Sequence, residues 1–299
     1  VIGFRTQVAY PLHAARLWTR STVPMVFFYR LGAGNQPRRG PLHRVLFRHM
    51  AAVVPNAEHV EKKILSRWAI DSHKVVCIKS GIDTRKYRPD PNLRRAFRLE
   101  LGIGDNEFVI GSTGRIHPQK GIEDLLDSLF GPGGVARERQ DVHLVCVGRE
   151  YRKGYCDVLL AKARQFGVQK QFHLVPFREG VESVYPAFDL FVLAVKSHET
   201  YAYVVLEAMG SGVPVLIPHT GGLKEMIVDG VEGFFFKHRD RLSLQEKLRC
   251  ILQLSPNALA FHGDRARERI ELHGDWDKMM DKYFSLFQRL NISLAPAEN

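Results

Sequence analysis

Two carboxylates, Glu199 and Glu207, stand eight residues apart in the stretch 197–233, SHETYAYVVLEAMGSGVPVLIPHTGGLKEMIVDGVEG. A carboxylate accepts hydrogen bonds from sugar hydroxyls and repels phosphate. A helix N-terminus, with its unpaired N–H groups and partial positive charge, suits phosphate. The stretch offers both. Residues 201–209 follow a helical pattern that Gly210-Ser211-Gly212 breaks, and residues 213–217 read as an apolar strand. A Gly221-Gly222 turn then opens a second short helix through Lys224, Glu225 and Ile227. A strand at 189–194 precedes all of this, so Glu199 falls in the loop at its end and Glu207 within the helix. Such strand-loop-helix sites lie at the carboxyl ends of strands in α/β folds, and a carboxylate beside one fits a phosphorylated sugar better than bare phosphate. A second loop carries two cations: Arg115 and Lys120 sit in GRIHPQKG, residues 114–121, between glycines at a strand end. The plain alternative for this loop is a basic surface turn.

The elements that must position these residues read as follows. Residues 1–4 begin as a buried strand, 12–19 as a helix and 24–29 (PMVFFY) as a short strand. Residues 30–40 form a loop rich in Gly and Arg, 42–50 a basic helix, 51–54 a strand, 56–69 a helix and 75–78 a strand. From residue 107 strands and helices alternate. Strands are expected at 108–111, 141–147, 172–175, 190–193, 213–217 and 233–236, with helices at 122–130, 155–166 and 180–187 between them. That alternation predicts one parallel sheet covered on both faces. The tail, 242–290, is helical. No internal repeat or low-complexity segment appears.

The chain has 299 residues, 45% apolar and 25% charged, as globular proteins have. No run of eighteen apolar residues exists to span a membrane as a helix. Cys77, Cys146, Cys156 and Cys250 lie far apart without metal-ligand spacing and read as buried thiols in a reducing compartment. The histidines are scattered and read mostly as surface residues. The net charge of +11 is confined to residues 1–90, which hold 16 Lys/Arg against 5 Asp/Glu; the remainder balances 27 against 27. The excess is either a solvated face or one that meets a phospholipid surface or a phosphorylated acceptor. No motif supports nucleic-acid recognition.

On these residues the chain resembles the retaining glycosyltransferases of family four, glycosyl transferases group 1, of the α/β GT-B fold. The spacing Glu199 to Glu207 matches the family's E-x7-E motif. The tail from Ala208 to Val215 (AMGSGVPV) and Gly221-Gly222-x-x-Glu225 make the match specific. The resemblance implies transfer of a sugar from a UDP- or GDP-sugar to a hydroxyl of a glycan or glycolipid, in polysaccharide or lipopolysaccharide biosynthesis, with no cofactor and no metal. It implies that Gly114, Arg115 and Lys120 hold the donor diphosphate, where fixed cations stabilise charge growing on the leaving group. Arg suits forked contacts and Lys a point charge. Glu207 corresponds to the residue that accepts from the ribose hydroxyls, and Glu199 to the one beside the donor sugar. Phe177 and Arg178 match the segment whose backbone reads the base. The N–H groups of Tyr203 and Val204 would face phosphate, and His198 would lie beside the sugar. Ala202 stands where the family often has Gly, and narrows the approach.

In the family, Gly81-Ile82-Asp83 and Tyr87-Arg88-Pro89 mark the end of the N-terminal domain, with Ser80 here in place of the usual Asn. The implied domains are 1–90, an acceptor-side Rossmann-like domain joined by a C-terminal helix at 276–290, and 91–275, the nucleotide-sugar domain. Some 90 residues before the linker are fewer than the ~150 of a full domain, so the N-terminal domain is expected to be incomplete, with much of the acceptor site missing. Arg5 and Arg30 occupy places where the family has histidines, and are expected to meet an anionic acceptor or the donor phosphates. The basic residues 1–90 imply peripheral contact with an anionic membrane from the cytoplasmic side. Other classes stay open: a nucleotide-sugar-binding fragment without transfer, a GT-B phosphorylase or sugar-phosphate synthase, and a basic nucleic-acid binder.

Overall fold

The computed structural model of the chain describes residues 2–3, 6–30 and 37–292. In chain order the elements are β1 (Ile2–Gly3), α1 (Thr6–Thr19), β2 (Met25–Tyr29), α2 (Pro41–Arg48), β3 (Met50–Pro55), α3 (Glu58–Arg67) and α4 (Pro91–Glu100). Then come β4 (Phe108–Thr113), α5 (Ile122–Phe130), β5 (Val142–Gly148), α6 (Tyr155–Phe166), β6 (Phe172–Pro176) and β7 (Leu190–Val192). The rest are α7 (Tyr203–Gly210), β8 (Val215–Pro218), β9 (Gly233–Phe236), α8 (Arg241–Ile251), α9 (Pro256–His273) and α10 (Trp276–Arg289). Contacts divide the chain into two units. One comprises the residues up to Gly81, Glu199–Tyr201 and the segment from Trp276; the other comprises Ile82–His198 and Ala202–Asp275.

The first unit holds a three-stranded parallel sheet in the order β1-β2-β3. Successive strand side chains point to opposite faces, and the core divides accordingly. Phe27, Tyr29 and Val53 pack with Leu46 and Phe47 of α2, Val60 and Ile64 of α3, and Trp68. Val26, Phe28, Ala52 and Val54 pack with Met279, Tyr283 and Leu286 of α10. The strand expected at 75–78 is reduced to a single bridge, Val53 to Val75. Its chain runs beside β3 through the N–H groups of Val76 and Ile78, each 3.0 Å from a carbonyl there, without developing a full ladder.

The second unit holds six parallel strands in the order β6-β5-β4-β7-β8-β9. Its four inner strands, β5, β4, β7 and β8, are almost wholly buried, which is why they read as continuous apolar runs. Counted from β4 the order is three-two-one-four-five-six. The winding reverses between β4 and β7, and the loops leaving those two strands diverge at their carboxyl ends, where ligands bind in such sheets. The helix α4 went unread in the sequence, although its start is well marked. Asp90 accepts from the N–H groups of Asn92 and Leu93 at 2.9 and 3.0 Å, and Pro91 takes the first helical position. The helix expected at 180–187 is two short 3-10 turns, Val181–Ser183 and Tyr185–Ala187, and the turn opened by Gly221 is 3-10 as well, Gly221–Glu225.

Two expectations about side chains are corrected. Of the four cysteines only Cys146 is buried; Cys250 lies on the open face of α8. Only four of the thirteen histidines, His73, His198, His219 and His273, are exposed. Among the described residues, no helix is long and apolar enough to cross a membrane.

Candidate functional site

The loop after β4 is held by two close approaches that only glycine permits. A Cβ on Gly148 would lie 1.7 Å from the Gly114 carbonyl oxygen, so the ends of β4 and β5 run in direct contact. Ile116 continues that pairing: its N–H donates to the Arg149 carbonyl at 2.8 Å and its carbonyl accepts from Tyr151 N–H at 3.1 Å. Between these anchors Arg115 is exposed, its guanidinium over the Tyr151 ring at 4.9 Å. The chain then makes a 3-10 turn, Pro118–Lys120, and reaches Gly121 in the left-handed region at φ 71°. A Cβ there would fall 1.9 Å from the Ala194 carbonyl oxygen, just past β7. Lys196 N–H donates to the Gln119 carbonyl at 2.8 Å, and the Lys196 ammonium meets Asp124 of α5 at 2.9 Å. The turn carrying Lys120 is thus pinned across the point where the sheet reverses.

Glu207 lies in the second turn of α7, half-buried. Its Oε2 accepts from the hydroxyl of Tyr185, which is fully buried. The Tyr185 oxygen also lies 2.7 Å from Thr113 Oγ1, on the last residue of β4. Glu207 is therefore tied, through one tyrosine, to a residue two positions before Arg115. Burial pushes its carboxyl up from the ordinary value, and nearby Glu182 adds to the rise. Hydrogen bonds from Tyr185 and Tyr87 and the charge of Lys86 oppose it.

The start of α7 is capped by Ala202, whose side chain accepts nothing from the helix N–H groups. Tyr203 is exposed there and Val204 half-buried. His198 is exposed, with Nδ1 2.8 Å from Thr220 Oγ1 and its ring 5.1 Å from that of His238. Phe177 is exposed after β6, with the Arg149 guanidinium over its ring at 5.3 Å. The Arg178 side chain is committed elsewhere: it makes a fork with Glu100 of α4, one arm 3.1 Å long, and lies over the Phe97 ring at 5.1 Å.

The structure thus brings Arg115, Lys120 and Glu207 to the reversal point of one sheet. Glu199 groups by contact with the first unit, as do its neighbours Thr200 and Tyr201. Thr200 Oγ1 donates to the Arg30 carbonyl at 2.9 Å, and Tyr201 packs against the core between β2, α2 and α3. The Arg30 side chain is exposed, and Arg5 lies outside the described residues. Sequence reasoning missed Tyr185, because an aromatic between two strands looks like any core residue. A cavity of about 640 Å³ opens at the opposite, amino-terminal pole of the six-stranded sheet, among Phe108, Asp141, Asp189 and Pro214.

Comparison with known proteins adds the following. Residues 107–254 match the family model described as Glycosyl transferases group 1. The chain is 30% identical over 224 residues to a D-inositol 3-phosphate glycosyltransferase of Segniliparus rotundus, covering 72% of this chain and 48% of that protein. It spans about half the length of the curated relatives it matches. Its fold is similar to that of Anabaena Alr3699/HepE in complex with UDP, with a TM-score of 0.80, 20% identity and coverage of 96% of this chain and 78% of that one. A sucrose-phosphate synthase of Thermosynechococcus elongatus has a TM-score of 0.77 at 18% identity, covering 97% of this chain and 73% of its own. These likenesses show the fold, the α/β GT-B class.

Proposed function

We propose that this chain, which belongs to glycosyl transferases group 1, carries the donor-binding machinery of a retaining glycosyltransferase. In this reading it moves a sugar from a nucleotide-diphosphate sugar to a hydroxyl of a glycan or glycolipid acceptor, in cell-envelope polysaccharide or lipopolysaccharide synthesis. The observation that carries it is the tie from Glu207 through Tyr185 to Thr113, which sets a carboxylate beside the loop bearing Arg115 and Lys120.

Each residue then has a task. Arg115 and Lys120 bind the diphosphate and stabilise the charge that grows on it as the glycosyl bond breaks. The N–H groups of Tyr203 and Val204 add the positive end of α7. Glu207 accepts from the ribose hydroxyls. Glu199 and His198 attend the donor sugar, where a carboxylate steadies positive charge at the anomeric carbon. The backbone of Phe177 and Arg178 borders the base, the Arg178 side chain being paired with Glu100. The acceptor oxygen bonds to the anomeric carbon on the face that the leaving phosphate departs, and its proton passes to that phosphate oxygen, which preserves the configuration. No cofactor enters the step. Arg5 and Arg30 belong to the acceptor side.

A cytoplasmic location at the inner membrane face fits the charge excess of residues 1–90. On α2, Leu42 and Val45 are exposed beside exposed Arg44 and Arg48, a combination suited to an anionic lipid surface.

Calorimetry with UDP, GDP and their sugars tests the donor assignment. Binding in the wild type that weakens about tenfold or more in Arg115→Ala and Lys120→Ala is expected. No binding of any nucleoside diphosphate overturns it. Binding without turnover of donor in a hydrolysis assay reduces the chain to a nucleotide-sugar-binding module.

A further inference from the structure

The hydrogen-bond chain at Glu207 has a direction. A hydroxyl carries one proton. Tyr185 spends its proton on Glu207 Oε2, so the 2.7 Å contact with Thr113 must be filled by the threonine proton, given to the tyrosine oxygen. The order of donation is therefore Thr113 to Tyr185 to Glu207, and each bond polarises the next toward the carboxylate.

Tyr185 has no freedom to turn away. Its ring is fully buried, against Phe188 at 5.9 Å, Phe191 at 6.0 Å and Tyr87 at 5.9 Å. Tyr87 meets it edge-on. Tyr87 is itself held from two sides. Its carbonyl accepts from the Arg267 guanidinium, and a Cβ on Gly210 at the end of α7 would lie 3.4 Å from its Cβ. One rigid phenol, packed by a second, thus donates to the carboxylate. An ionised carboxylate offers about four acceptor positions; Tyr185 takes one and fixes the plane of the remainder.

We propose that Tyr185, held by Tyr87 and backed by Thr113, forms a clamp that orients Glu207 so that its remaining acceptor positions receive the vicinal hydroxyls of a ribose. Tyr185 is a positioning residue, and through Glu207 it sets the preference for a ribonucleotide over a 2′-deoxyribonucleotide. The inference rests on the proposed reading of this site as a nucleotide-sugar site.

The test compares UDP with 2′-deoxy-UDP, by calorimetry, in the wild type, Tyr185→Phe and Thr113→Val. The wild type is expected to prefer UDP, and Tyr185→Phe to lose about fivefold of that preference while binding of 2′-deoxy-UDP stays level. Thr113→Val, which touches neither ligand nor Glu207, should lose about twofold. A carbon-13 titration of the Glu207 carboxyl, assigned with Glu207→Gln, supplies a readout without ligand. Its midpoint is expected to rise in Tyr185→Phe. A wild type that binds both nucleotides equally overturns the reading of the site, and the clamp's purpose with it. A wild-type preference that survives unchanged in Tyr185→Phe overturns the clamp alone. If Tyr185→Phe does not fold, Thr113→Val decides the matter.

Discussion

Arg98 Nη2 lies 2.6 Å from Asp189 Oδ2, and the Arg98 side chain is 1% exposed. The same guanidinium donates to the carbonyls of Ala187 at 3.0 Å, Gly104 at 3.2 Å, Asp105 at 3.1 Å and Glu107 at 2.8 Å. Asp189 in turn accepts from Arg94 and from the Val109 N–H, each at 2.7 Å. One buried ion pair therefore fastens α4 to the starts of β4 and β7, the two strands between which the sheet reverses. Removing one partner strands the other charge in the interior. Asp189→Ala is expected to cost about 3–5 kcal/mol in urea unfolding. A loss below about 1 kcal/mol would show that water reaches Arg98 and that the pair is not a fastening.

Gly121 is expected to tolerate no side chain. Alanine there meets both a positive φ of 71° and a carbonyl oxygen 1.9 Å from the new Cβ. Gly121→Ala should destabilise by about 2–4 kcal/mol. It should also weaken UDP binding, because the displaced turn carries Lys120. Gly133→Ala, at φ 73° with open space around its Cβ position, is the control for the backbone contribution alone. Equal losses in the two variants would remove the role of the close approach.

Glu207 predicts a stability trend with pH. Its carboxyl is raised above the ordinary 4.5, chiefly by burial. The folded chain therefore keeps this proton to higher pH than the unfolded chain does. Its contribution to stability is fully present below 4.5 and is lost as pH rises through the folded value. Urea midpoints measured across this range should fall less with rising pH in Glu207→Gln than in the wild type. Parallel curves would mean that Glu207 ionises without cost.

His173 predicts the opposite trend. Burial, with neighbouring His143 adding to it and Glu107 opposing, lowers its value from 6.5 to about 4. The imidazole is neutral in the fold, and His143 Nδ1 lies 3.1 Å from its Nε2. Its contribution is present above 6.5 and is lost as pH falls toward about 4. The loss is on the order of 1–3 kcal/mol. His173→Gln should flatten the acid limb of the stability curve; an unchanged limb would place the acid sensitivity elsewhere.

Much of the second unit was legible in the sequence. The bounds of α5, α6 and β9 were read to the residue, because apolar period, glycine stops and turn residues are local signals. The spacing of Glu199 from Glu207 and of Arg115 from Lys120 is likewise written along the chain. Other features were not legible. The Arg178 side chain goes to Glu100, seventy-eight residues away in sequence, a partner that spacing along the chain does not announce. Val75 to Ile78 has the composition of a strand but only one bridge, since pairing depends on what lies beside it.

The amino-acid order by itself determined the spacing of the candidate site residues and where many of the strands and helices begin. Only the tertiary structure decided that Tyr185 is the partner of Glu207, that Gly121 must be small because Ala194 passes against it, and that Glu199 groups with the first unit. Periodicity and spacing are written between neighbours on the chain. A hydrogen-bond partner is chosen by strand order, and the order β6-β5-β4-β7-β8-β9 arises from the packing of crossover helices over the whole sheet.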